Sequence, residues 1–110
     1  MVILATVGAK TGRAHTVALG KFADREDSFL VVASNGGAAR HPAWFINLAR
    51  NPGQVWAEVG KRKFKVRPQL LQGKERREAW QRVIAASPGY AAYEQKTDRE
   101  IPIVRLTPEN

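Results

Sequence analysis

Apolar residues recur along this chain in two rhythms, an alternation that marks strands and a wider spacing that marks helices. Residues 2–7 form a short apolar run and predict a first strand, followed by a turn-like loop at 8–12. His15, Val17, Leu19 and Lys21 alternate with Thr16, Ala18, Gly20 and Phe22, a second strand over 15–22 that ends in the polar turn at 23–28. Residues 29–33 are apolar throughout and read as a buried third strand. A hairpin follows at 54–59 and 62–70 around Gly60 and Lys61, and residues 101–106 make a last strand. Helical spacing marks 44–50, stopped by Asn51, Pro52 and Gly53. It marks 74–86 as well, with Trp80, Val83 and Ile84 on the buried face and Arg76, Arg77 and Arg82 facing elsewhere. Residues 90–96 resume the helix for a turn or two after Ser87, Pro88 and Gly89 break it. Five or six short strands with two or three inserted helices predict a small barrel of the α+β class.

At 110 residues the chain is expected to form one domain, 1–110. No apolar run reaches the roughly 18 residues that span a membrane, and the opening segment lacks the basic flank of a signal peptide, so a cytoplasmic protein is expected. The sequence contains no cysteine, which excludes disulfides and thiolate chemistry; two histidines do not make a metal site. Eighteen Lys and Arg against ten Asp and Glu give a net charge of +8, which concentrates anionic partners. The densest cluster is Lys61, Arg62, Lys63, Lys65 and Arg67, and alternation puts Lys63, Lys65 and Arg67 on one face. That face is either the solvated side of an edge strand or a groove for nucleic acid, anionic lipid or an acidic ligand tail.

Residues 34–48 read as a strand end, a glycine turn and a helix start in one piece. Gly36 and Gly37 allow positive φ and close approach of a ligand, and Pro42 suits the first turn of a helix. The free N–H groups of that helix would point back at the loop beside Arg40 and His41. By itself the segment is either a plain turn or a cradle for phosphate or carboxylate.

Four blocks then carry a resemblance. Gly8-Ala9-Lys10-Thr11-Gly12-Arg13, the segment 31–37, the segment 41–52, and residues 87–93 with 97–104 resemble, in order and over nearly the whole chain, the deazaflavin-dependent nitroreductase and quinone reductase family. The resemblance implies a split β-barrel of the flavin-mononucleotide-binding type, with about six mostly antiparallel strands. It implies coenzyme F420 as cofactor, and hydride transfer from its reduced form to a quinone, nitroaromatic or enone. Lys10, Thr11, Gly12, Arg13 and His15 would take phosphate and tail, which need fixed donors and positive charge. Ala33, Ser34 and Asn35 would lie along the ring system, and Ala43, Trp44 and Asn47 would close on it from the helix. Ser34, Tyr90 and Tyr93 would be the hydroxyls near the acceptor, with Tyr90 also touching the cofactor.

Departures from the family pattern qualify that picture. His15 stands where quinone-reducing members carry arginine, Asn35 where they carry lysine and Ser87 where they carry a further tyrosine. The sequence also starts almost at the first barrel strand, without the segment that in those members covers the site and touches membrane. These differences weigh against menaquinone. Flavin mononucleotide remains the alternative cofactor, and a non-catalytic binder of nucleic acid or an anionic ligand the alternative function. The expected partner is a small electrophilic substrate rather than nucleic acid, with at most peripheral membrane contact; a homodimer is left open.

Overall fold

The computed structural model describes residues 1–109; Asn110, the end of the expected domain, lies outside the described residues. The strands are β1 (Val2–Val7), β2 (Ala14–Leu19), β3 (Phe22–Ala23), β4 (Phe29–Val32), β5 (Val55–Val59), β6 (Arg62–Leu70) and β7 (Ile103–Pro108). The helices are α1 (Ala43–Arg50), α2 (Gly73–Ala86) and α3 (Tyr90–Gln95), and a 3-10 turn covers Asn35–Gly37. Each lies within a few residues of its expected place. β7 starts two residues late because Pro102 has no N–H to give to a ladder.

Every strand pair is antiparallel, in the order β2-β1-β5-β6-β7-β4-β3. The two outer strands, β2 and β3, are consecutive in the chain and separated only by Gly20 and Lys21, so the sheet curls until its ends meet. β6 carries both halves: it pairs with β5 through Arg62–Lys65 and with β7 through Val66–Leu70. This is the α+β split barrel expected, with seven strands rather than about six because the anticipated strand 15–22 is broken. Its first half stays on β1 and its second half crosses to β4. The break falls at Gly20, where a Cβ would meet the Tyr90 hydroxyl at 3.4 Å and the Phe22 ring at 3.5 Å, both ordinary contact distances.

The core has two layers on the two faces of the sheet. Val2, Leu4, Phe29, Val31, Val55, Val66, Val104 and Leu106 fill the inside with Trp44 and Leu48 of α1. Leu30, Val32 and Ile103 face outward and are covered by Leu71, Ala79, Trp80 and Val83, with Tyr90 and Tyr93 at the margin. β4 is buried on both faces, which is why its sequence is an unbroken apolar run.

Two expectations about arginine and lysine are corrected here. Arg76 does not face away from the core. It is buried, donates from Nε and Nη2 to the Ile101 carbonyl at 3.2 and 2.7 Å, and lies 5.6 Å over the Trp80 ring. Four residues before Trp80 and seven before Val83 is the same helical face, so the spacing itself carried that signal. Lys63, Lys65 and Arg67 are exposed on one face as the alternation predicts, yet β6 is an interior strand, flanked by β5 and β7. Lys65 rests over Trp56 at 6.0 Å and Lys63 stands opposite Glu58. Among the described residues, no helix is long and apolar enough to cross a membrane.

Candidate functional site

The loop at 8–13 closes the β1–β2 hairpin through Gly8 N–H to the Arg13 carbonyl, 2.7 Å, and Gly12 N–H to the Gly8 carbonyl, 3.0 Å. Gly12 takes φ +71°, a conformation most side chains disfavour. The loop is pinned to α1 by one side chain: Asn47 Oδ1 accepts from Ala9 N–H at 3.0 Å while its Nδ2 donates to Thr6 Oγ1 at 3.4 Å. One helical turn later Asn51 donates to the Val7 carbonyl at 3.2 Å. Between hairpin and helix opens a cleft of about 630 Å³, lined by both hairpin strands, the 8–11 loop, Asn35, residues 40–42 and the start of α1. That volume suits a cofactor ring.

The charge around the cleft is of one sign. Lys10 and Arg40 line it together with the imidazoles of His15 and His41 and the hydroxyls of Thr6, Thr11 and Thr16, and no carboxylate does. Lys10, Arg13 and Arg40 are exposed and form no ion pair among the described residues. Val17, Pro42, Trp44 and Ile46 supply an apolar wall. Trp44 is only 8 % exposed and belongs to the inner core as well, so it is both core residue and cleft wall.

The far rim is the strand end and glycine turn after β4. Asn35, Gly36 and Gly37 all have positive φ, at 48°, 64° and 84°. Gly37 leaves no room for a side chain: a Cβ would lie 2.9 Å from Lys96 Cβ and 3.1 Å from the Tyr93 carbonyl oxygen. Asn35 Nδ2 donates across the turn to the Arg40 carbonyl at 3.1 Å. Arg99 clamps the whole rim. It donates to the carbonyls of Ser34 at 2.9 Å, Ala38 at 3.0 Å and Ala33 at 3.2 Å, and its Nη1 lies 3.1 Å from His41 Nδ1. Partial burial, and after it the Arg99 charge, lower the His41 pKa from its ordinary value.

Of the residues singled out from sequence, Lys10, Thr11, His15, Asn35, Ala43, Trp44 and Asn47 line this cleft. Gly12 and Arg13 follow in the same loop without lining it. Ala33 is buried behind the rim, its carbonyl held by Arg99, and Ser34 is 8 % exposed beside it. Tyr90 and Tyr93 are not brought into the cleft. They meet edge to face at 5.2 Å, Tyr90 packs on Phe22 at 5.4 Å, and both border the outer core. Burial, and after it the Tyr93 phenol, raise the Tyr90 pKa above its ordinary value, so it keeps its proton at neutral pH. Arg99 went unnoticed in sequence, although it lies in one of the resembling blocks. Its partners stand 58 to 66 residues away, and no local spacing reveals such a clamp.

Comparison with known proteins places this geometry. A family model described as F420H(2)-dependent quinone reductase matches residues 1–108. The F420H(2)-dependent quinone reductase Rv1261c of Mycobacterium tuberculosis (strain ATCC 25618 / H37Rv) is 38% identical over 109 residues, covering 96% of this chain and 72% of that protein. A solved structure titled as an F420-H2 dependent reductase (FDR-A) superposes with a TM-score of 0.83 at 35% identity, over 96% of this chain and 91% of the other. A second, titled as a domain-swapped dimer, gives a TM-score of 0.84 at 35% identity over 96% and 78%.

Proposed function

The chain belongs to the F420H(2)-dependent quinone reductase family, and from that premise we propose that its cleft holds the reduced deazaflavin against a small electrophilic acceptor: a quinone, a nitroaromatic or an enone. The protein is thus an oxidoreductase whose cofactor is coenzyme F420. Flavin mononucleotide, left open above, has no support among the relatives. The observation that carries the reading is the cleft itself, an apolar wall under a rim of cations that form no ion pair among the described residues, with no carboxylate among its lining residues. A planar ring with an anionic tail asks for that combination.

When bound, the reduced cofactor supplies a hydride from C5. The work left to the chain is binding, orientation and charge. Lys10, Thr11 and Arg13, with Arg40 opposite, would hold phosphate and tail by charge-assisted hydrogen bonds. Asn47 would act indirectly, since its amide is spent on Ala9 and Thr6 and fixes where Lys10 and Thr11 stand. Val17, Trp44 and Ile46 would flank the ring and exclude water. Ser34, Tyr90 and Tyr93, which do not line the cleft, are proposed on the acceptor side. The protonated Tyr90 phenol can donate a hydrogen bond to the oxygen on which negative charge grows.

Titration with oxidised coenzyme F420, followed by quenching of tryptophan fluorescence, tests the cofactor. Saturable binding at micromolar concentration is expected, and its absence sinks the proposal. Oxidation of the reduced cofactor against quinones, nitroaromatics and enones then identifies the acceptor. The likeness to a chain titled as a domain-swapped dimer supports a homodimer, which sedimentation velocity tests.

A further inference from the structure

A guanidinium has hydrogen-bond donors and no acceptor, so the 3.1 Å contact between Arg99 Nη1 and His41 Nδ1 makes Nδ1 the acceptor. A neutral imidazole that accepts at Nδ1 carries its hydrogen on Nε2. Arg99 cannot easily swing away from this duty, because its other nitrogens hold the carbonyls of Ala33, Ser34 and Ala38. Phe45 packs against the same imidazole with ring centroids 5.0 Å apart. The charged and titratable groups around His41 are Arg99 from the segment before β7, Arg40 beside it, and Lys10 and His15 elsewhere in the cleft lining; no carboxylate lines the cleft to favour a charged ring. His41 lines the cleft, and among the described residues its Nε2 has no hydrogen-bond partner.

We infer that Arg99 locks His41 as the Nε2–H tautomer, and that this N–H donates a hydrogen bond to a carbonyl oxygen of the deazaflavin ring system in the cleft. His41 then touches the cofactor, and Arg99 is a positioning residue acting through it. The inference rests on the reading that the cleft takes this cofactor. Its physical advantage is that the donor is preorganised: it needs no proton uptake and no tautomer exchange when the ring arrives.

Long-range proton–nitrogen spectra of the ¹⁵N-labelled full chain at pH 7.5 test it. With only two histidines, His41→Phe assigns the signals. The free protein should show His41 neutral with hydrogen on Nε2, and saturating oxidised coenzyme F420 should shift that signal. His41→Phe should weaken F420 binding about 2- to 10-fold, the worth of one neutral hydrogen bond. Arg99→Lys keeps the charge but not the fork, and should mix the two tautomers of His41 while weakening binding about 3- to 10-fold. An Nδ1–H or doubly protonated His41 in the free wild type overturns the inference, and so does a His41 signal that F420 leaves unmoved although it binds. Should Arg99→Lys fail to fold, the wild-type spectrum and His41→Phe still decide. If F420 does not bind the wild type at all, the cofactor reading falls instead, and the tautomer in the free protein still settles the part assigned to Arg99.

Discussion

Asp24 offers a sharp test of how this barrel is held together. It lies in the turn between β3 and β4 with its side chain only 2 % exposed, and accepts from Arg105 Nε at 2.6 Å, Ser28 Oγ at 2.7 Å and Arg82 Nη2 at 3.1 Å. Arg105, 5 % exposed, also donates to Glu75 at 2.9 Å, so the network joins β7, α2 and the turn. Burial alone would raise the Asp24 pKa, but hydrogen bonds from Arg105, then Ser28, outweigh it and bring it down from 3.8 to about 2. A carboxylate that titrates near 2 folded and near 3.8 unfolded contributes on the order of 2 kcal/mol at neutral pH. Because the folded value is the lower one, that contribution is complete above about pH 5 and is lost as pH falls through 4 toward 2. Asp24→Asn keeps the shape and removes the charge. It leaves Arg105 partly paired by Glu75, so the loss should fall at or below the low end of the range for breaking a buried pair, about 2–3 kcal/mol, or about 8–12 °C in Tm. Urea unfolding followed by tryptophan fluorescence should show that gap at pH 7 and show it reduced to about a third by pH 2.5, because the folded carboxyl takes up its proton only near pH 2. A gap under about 0.5 kcal/mol at pH 7, or one that persists undiminished in acid, would refute the reasoning.

Three further outcomes concern the cleft. Lys10→Ala should weaken F420 binding about 5- to 10-fold in low salt and less at 0.5 M, since an exposed ammonium acts through a screened field; a salt-independent loss would place Lys10 elsewhere. Asn47→Ala frees the 8–13 loop from α1 and should cost about 1–2 kcal/mol in chemical denaturation together with weaker F420 binding. Stability unchanged in that variant would mean that the bonds to Ala9 and Thr6 do not tie the loop. Gly37→Ala forces a Cβ against Lys96 and the Tyr93 carbonyl at φ +84° and should lower stability by about 1–3 kcal/mol in a thermal melt; an unchanged Tm would show that α3 gives way.

Local pattern alone determined most of the elements. β1, the β5–β6 hairpin, α1, α2 and α3 stand where apolar periodicity, Gly60 and the breakers at 51–53 and 87–89 put them, because period and turn chemistry are properties of neighbours in the chain. The resembling blocks likewise pointed to a cleft at the 8–13 loop and the start of α1, and Lys10, Thr11, Asn35, Trp44 and Asn47 do meet there. Other features depended on contacts that no linear pattern encodes. One expected strand divides at Gly20 and Lys21 because its first half pairs with β1 and its second half with β4, and β6 is interior because β7 returns beside it from the far end of the chain. Tyr90 and Tyr93 were drawn to the outer core rather than the cleft. Above all, Arg99 became the clamp on the cleft's rim. A donor fork finds its carbonyls through the closed sheet and not through sequence spacing, so the sequence supplied the residue and only the tertiary structure gave it a task.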